Sequence, residues 1–174
     1  MTPGTGTSPE KPAPLVSVVI PTYNRAHLIE ATLESVASSS WRPVEIVIAD
    51  DGSTDGTSGV VADFAARHPD VRVQYLERPH EGANHARNAG VAASSGAFVF
   101  FLDSDDLLQP PALSVLMSAM DDPQLPYCVA QLAEIDAAGT AVFTEGHSVS
   151  TLDYDGVVGS HWSTIVALYR RELL

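Results

Sequence analysis

Four short, mainly apolar runs separated by helix-length segments constrain this chain more than any other feature. They are "LVSVVIP" (Leu15–Pro21), "VEIVIAD" (Val44–Asp50), "VRVQYLE" (Val71–Glu77) and "AFVFFLD" (Ala97–Asp103). Runs this short and rich in β-branched residues predict strands, and the near-continuous ones predict strands buried on both faces. Between the first two, Leu28, Ile29, Leu33, Val36 and Ala37 recur at helical spacing; after the turn "DGSTDGT", Val60, Val61, Phe64 and Ala65 do the same. "GANHARNAGVAASSG" (Gly82–Gly96) predicts a third helix, closed by a glycine cap. Strand and helix in strict alternation specify an α/β fold with a mostly parallel sheet and helices on both faces.

The remainder is less regular. "PPALSVLMSAM" predicts a helix with proline in its first turn, where a missing N–H costs nothing. "YCVAQLAEID" and "GTAVFTE" predict a hairpin across "AAG", and "STIVALY" (Ser163–Tyr169) is a last apolar run before "RRELL". Residues 1–14, rich in Pro, Gly and Thr, predict a disordered tail, because they hold too little apolar surface to offset the entropy of ordering. Residues 15–174 are expected to form one domain.

Charge narrows the partners. With 22 acids against 9 basic side chains and a net charge of −13, the chain is a poor match for nucleic acid or an anionic membrane. The sequence has no secretory leader pattern and no apolar stretch near the roughly 20 residues that a membrane span needs. A single cysteine, Cys128, cannot form an internal disulfide. A cytoplasmic location is the expectation.

In open α/β sheets, ligands bind beyond the carboxyl ends of the strands. Three of these ends carry polar residues: "PTYN" (Pro21–Asn24), "DDGS" (Asp50–Ser53) and "DSDD" (Asp103–Asp106). Asp103 and Asp105, one residue apart where a strand becomes a loop, suit a hard divalent cation such as Mg²⁺ or Mn²⁺, which would relieve their repulsion. The same stretch is compatible with a polar loop in which Asp106 caps the next helix. Asp51 suits an acceptor for a base N–H, with Asp50 holding the turn, although Asp-Gly pairs are also ordinary turn formers. Tyr23 could stack on a planar base or simply pack at the sheet edge. His80 and Arg87 precede the fourth strand, and Arg87 could face a diphosphate or neutralise the acids.

Together, "VSVVIPTYNRAHLIEATLESV", "VEIVIADDGSTDGT", "GANHARNAGVAASSGAFVFFLDSDD" and "LLQPPAL" resemble the family 2 glycosyltransferases of GT-A fold, continuously from Val16 to about Leu113. The resemblance implies a Rossmann-like α/β/α sandwich of three layers, with a nucleotide-sugar-binding half at 15–113 and the start of an acceptor-side half at 114–174. It implies transfer of a sugar from a nucleotide donor, a UDP-sugar by expectation, to a hydroxyl or amine, usually with inversion. The acceptor could be a saccharide, a lipid-linked glycan or a small molecule. By the same resemblance, Pro21, Thr22 and Tyr23 frame the nucleobase and Asp51 holds it. Asp103 meets ribose or metal-bound diphosphate, Asp105 binds Mn²⁺ or Mg²⁺ directly, and His80 falls near a position that approaches the base or diphosphate.

The family's usual catalytic base, an acid beyond the strand resembling "IVALYRRELL", has no counterpart in the chain, so the base is expected beyond Leu174. Glu145, Asp153, Asp155 and His161 are the internal substitutes. A non-catalytic nucleotide-sugar-binding module is the alternative reading. A dinucleotide oxidoreductase is disfavoured, because no G-x-G-x-x-G follows the first strand.

Overall fold

The computed structural model describes residues 12–130, 134–135, 141–142 and 167–174. The expected alternation is present: β1 (Val16–Thr22), α1 (Ile29–Ala37), β2 (Val44–Asp50), α2 (Thr57–Arg67), β3 (Arg72–Glu77), α3 (Ala83–Ala93), β4 (Phe98–Phe101) and α4 (Ala112–Ala119). β5 (Tyr127–Val129), β6 (Glu134–Ile135), β7 (Ala141–Val142) and β8 (Ala167–Arg170) follow. The main sheet has six strands in the order β3-β2-β1-β4-β8-β5. β1 to β4 are parallel, and β8 runs antiparallel to both β4 and β5. This is a mixed α/β fold with a mostly parallel central sheet, as expected.

Alternation along each strand divides the core between the faces. Val16, Val18 and Ile20 of β1, with Ile46, Ile48 and Phe100, pack on Ile29 and Leu33 of α1, Val61 and Phe64 of α2, and Leu113 of α4. Val19, Val47 and Val99 form a smaller core on the opposite face with Val91 and Ala93 of α3. α3 can lie close there because residue 90 is glycine: a Cβ on Gly90 would stand only 2.4 Å from Val19 Cγ1.

The structure corrects the expectation for Gly96. α3 ends at Ala93 with Ser94 in an extended conformation, so no glycine caps it. Gly96 is required by space instead: a Cβ there would lie 2.6 Å from Ser17 Oγ and 2.7 Å from the Leu15 carbonyl oxygen. The Gly96 and Ser95 N–H groups and the Ser17 hydroxyl all donate to buried Glu45, which Arg72 also pairs at 3.2 Å. Burial pushes the Glu45 pKa up, but these donors and the Arg72 charge outweigh it and hold the carboxyl below the usual glutamate range. A group depressed in the folded state stabilises above its unfolded pKa and loses that contribution as pH falls through the folded value. Thermal melts between neutral and acidic pH should therefore show stability declining with acid, and Glu45→Gln should flatten part of that slope. Gly96→Ala should cost about 1–3 kcal/mol at neutral pH, because the atoms it meets include backbone.

The second half differs in pairing. Residues 134–135 and 141–142 form an antiparallel ribbon across the expected turn, but Tyr127–Val129 joins the main sheet beside β8 rather than the ribbon. The described part of "STIVALY" lies in β8, which is paired on both edges, with Ala167 and Leu168 fully buried. Of the expected tail, residues 1–11 lie outside the described residues, and the Pro14 carbonyl accepts from the Trp41 indole N–H at 3.2 Å. Among the described residues, no helix is long and apolar enough to cross a membrane.

Candidate active site

The carboxyl ends of β1, β2 and β4 open onto a cleft of about 350 Å³. Every candidate binding residue named from the sequence lines it: Pro21, Thr22 and Tyr23 from β1 and its end, Asp51 after β2, His80 and Arg87 around the start of α3, and Asp103 and Asp105 after β4. Arg25, Gly82 and Ser104 also line it, and the sequence analysis did not single them out.

Side chains of the "DDGSTDGT" turn tie the first two strand ends together. The Asn24 N–H donates to Ser53 Oγ at 2.8 Å, and the Thr54 N–H returns to Asn24 Oδ1 at 2.8 Å. The Arg25 N–H donates to Thr57 Oγ1 at 3.1 Å, and the Ala26 N–H to Asp55 Oδ2 at 2.9 Å. Asn24 takes a left-handed φ of 52°, which asparagine tolerates better than most side chains. Asp50 holds the turn as expected, accepting from the Ser53 N–H and hydroxyl and from the Tyr75 hydroxyl.

Asp51 is buried, and its carboxylate faces its own chain. Oδ1 accepts the Glu81 N–H at 2.7 Å, and Oδ2 accepts the Gly82 N–H at 2.9 Å. His80 Nδ1 lies 2.8 Å from Oδ2 and 2.9 Å from the Asp51 carbonyl oxygen; facing two acceptors, it carries the proton. Burial raises the Asp51 pKa, but the two backbone donors and His80 more than reverse this, so the carboxyl is held below the usual aspartate range. The His80 ring stacks on Tyr23, with centroids 4.2 Å apart and planes 25° from parallel. Asp51 thus fixes the 80–82 segment, and that segment presents a two-ring platform at the cleft's edge.

The loop after β4 is pinned from α1. The Thr32 hydroxyl donates to the Ser104 carbonyl at 3.0 Å, and Ser35 Oγ accepts the Leu108 N–H at 3.0 Å. The crowded acids meet two arginines: Arg87 Nη2 lies 3.0 Å from Asp103 Oδ1, and Arg25 Nε lies 3.8 Å from Asp105 Oδ2. Asp106 is half-buried and its pKa is raised, by burial first and then by Asp103 and Asp105. It does not cap α4, which starts at Ala112 behind Pro111 and has no side-chain cap. Thr22 Oγ1 and Arg25 Nε are buried without a hydrogen-bond partner among the described residues. Asp103 and Asp105 offer hard oxygen ligands on one cleft wall. Among the described residues, no cluster of three or more His, Cys, Asp or Glu is arranged to hold a metal by itself. Two carboxylates without a protein cage fit Mn²⁺ or Mg²⁺, which complete their octahedron with water and substrate phosphates.

Glu145, Asp153, Asp155 and His161 lie outside the described residues.

The Campylobacter jejuni GalNAc(5)-diNAcBac-PP-undecaprenol β-1,3-glucosyltransferase is 37% identical over 111 residues, covering 63% of this chain and 35% of that protein. Chondroitin synthase from Escherichia coli is 36% identical over 107 residues, covering 62% of this chain and 15% of that protein. The chain therefore spans well under two thirds of the length of these relatives. Among solved structures, a Pyrobaculum calidifontis mannosyltransferase in complex with GDP-Man and Mn²⁺ superposes with a TM-score of 0.63 at 33% identity, covering 68% of this chain and 36% of that one. Staphylococcus aureus TarS 1–349 superposes with a TM-score of 0.72 at 24% identity, covering 91% of this chain and 47% of that one, a likeness of fold alone. The glycosyl transferase family 2 model matches residues 17–172, and the chain belongs to that family.

Proposed function

We propose that this chain carries the donor site of a cytoplasmic, metal-dependent glycosyltransferase that moves a sugar from a UDP-sugar to an acceptor hydroxyl or amine with inversion. One observation carries the reading: Tyr23, Asp51, Asp103 and Asp105, from three separate strand ends, line a single cleft at the carboxyl edge of the sheet. Inversion is taken from the family resemblance. Metal dependence is supported by the paired carboxylates and by the Mn²⁺ in the 33%-identical mannosyltransferase complex. A lipid-linked acceptor is supported by the name of the Campylobacter relative.

In this reading the Tyr23–His80 platform receives the base and Asp51 accepts its ring N–H. An ionised carboxylate has about four acceptor sites, and three donors of its own chain already point at Asp51, which leaves room for one more. Uracil has a ring N–H at N3 and guanine has one at N1, whereas cytosine has none. Asp103 and Asp105 would hold the divalent cation, whose charge stabilises the departing diphosphate. Arg87 is close enough to the acids to share that task.

Calorimetric titration of the chain with UDP, GDP, dTDP and CDP in the presence of Mn²⁺ tests the donor site. Binding of UDP ahead of GDP and CDP is expected. Preference for GDP would keep the site and replace the base, and absence of binding to all four would refute the proposal.

A further inference from the structure

Arg25 is fixed at its backbone and unfinished at its side chain. Its N–H is tied to Thr57 Oγ1, and its carbonyl accepts the Leu28 and Ile29 N–H groups that open α1. The guanidinium reaches back into the cleft, where Nε stands 3.8 Å from Asp105 Oδ2, too far for a hydrogen bond. Among the described residues, that Nε is buried without a hydrogen-bond acceptor, and the buried Thr22 hydroxyl in the same cleft is also without a partner. Buried donors normally find acceptors, so both atoms point to a ligand with oxygens to offer. The ion pair is long and about half-exposed, which makes it weak and exchangeable.

We propose that Arg25 is an exchangeable counter-ion: it neutralises Asp105 when the cleft is empty and turns to the donor's diphosphate when a divalent cation takes Asp105. This rests on the nucleotide-diphosphate reading of the cleft. Charge balance favours the exchange. A cation arriving at Asp105 repels the guanidinium, and the diphosphate that accompanies it is the nearest new anion. A planar guanidinium with several N–H donors can then satisfy Nε on phosphate oxygen, as a lysine could not. Arg25 and the cation compete when metal is alone, and cooperate when metal comes with diphosphate.

Opposite effects of one substitution test this. Mn²⁺ alone is titrated into the chain by electron paramagnetic resonance, and UDP is titrated by calorimetry at saturating Mn²⁺. Arg25→Gln should bind Mn²⁺ alone about two- to five-fold more tightly, the range a partly exposed ion pair allows. It should bind UDP with Mn²⁺ about tenfold or more weakly, as for a lost charge-assisted hydrogen bond. Arg25→Lys keeps the charge without the fork: Mn²⁺ affinity should stay near that of the wild type while UDP affinity falls. Arg67→Gln, which removes a positive charge outside the cleft, should change neither. Unchanged or weaker Mn²⁺ binding in Arg25→Gln would overturn the counter-ion role, because a merely structural residue weakens both ligands together. Wild-type chain that binds neither Mn²⁺ nor UDP would instead overturn the donor-site reading, a failure visible before any variant is compared.

Discussion

Asp105→Ala is expected to abolish the metal-dependent part of UDP binding and leave the fold intact. The Asp105 side chain is about half-exposed, and its surroundings include two other acids and a loosely held arginine. Its removal relieves repulsion, so stability should change by no more than about 0.5 kcal/mol, as for most surface positions. Binding should respond very differently. Changing even an outer partner of a metal ligand typically costs roughly 10–100-fold, and a direct ligand should cost at least that. UDP affinity with Mn²⁺ should therefore fall to the level seen in chelator, while uridine, which has no diphosphate, should bind as before. Asp103→Ala is a less clean probe, because Asp103 is more buried and pairs Arg87 at 3.0 Å. Calorimetry of UDP and uridine, each with Mn²⁺ and with chelator, separates these effects. A UDP affinity that Asp105→Ala leaves unchanged in Mn²⁺ would remove Asp105 from the metal site.

The parallel half of the fold was legible because its signals are local. "VSVVI", "VEIVIAD" and "FVFF" are mainly apolar, as strands covered on both faces tend to be, and the buried Ser17 and Glu45 among them bond to each other. The strand ends were legible for the same reason, since polar side chains directly after a buried strand have few other places to go. What escaped was set by pairing between distant segments. Nothing in "STIVALY" reveals that Ala167–Arg170 inserts antiparallel between β4 and β5, a choice made by Phe98, Val99 and Phe100 across the ladder. Gly96 looked like a helix cap, but its constraint comes from Leu15 and Ser17, some 80 residues earlier. Arg25 was missed because a cation after "PTYN" reads as the approach to a helix, and only the folded loops bring it to Asp105. A threonine or serine gives no warning of such roles either: in the sequence Thr32 and Ser35, which pin the loop after β4, are ordinary polar positions of a helix.

Asp51→Ala should weaken uridine binding without metal and loosen the segment that forms the base platform. The sequence could not separate the structural task of this carboxylate from its proposed task at the base. It accepts the Glu81 and Gly82 N–H groups and the His80 imidazole, and Gly82 holds a φ of 100° that few other residues adopt. Losing the acceptor leaves those donors unsatisfied, so amide exchange at Glu81 and Gly82 should accelerate and the Tyr23–His80 stack should lose its anchor. Leaving a buried polar group unpaired typically costs about 1–3 kcal/mol, or about 5- to 150-fold in affinity if the base shares the loss. A direct contact can be told from an indirect one by comparing uridine with 3-methyluridine, which has no N3–H. If Asp51 accepts from the base, wild-type chain should prefer uridine, and Asp51→Ala should bind the two nucleosides alike. If Asp51 only builds the platform, wild-type chain should already bind both equally, and the variant should weaken both in step with faster exchange at Glu81 and Gly82. Equal binding of the two by the wild type would thus confine Asp51 to positioning. The base edge would then fall to the other groups of the cleft wall, with the buried Thr22 hydroxyl, which has no partner among the described residues, the first to test.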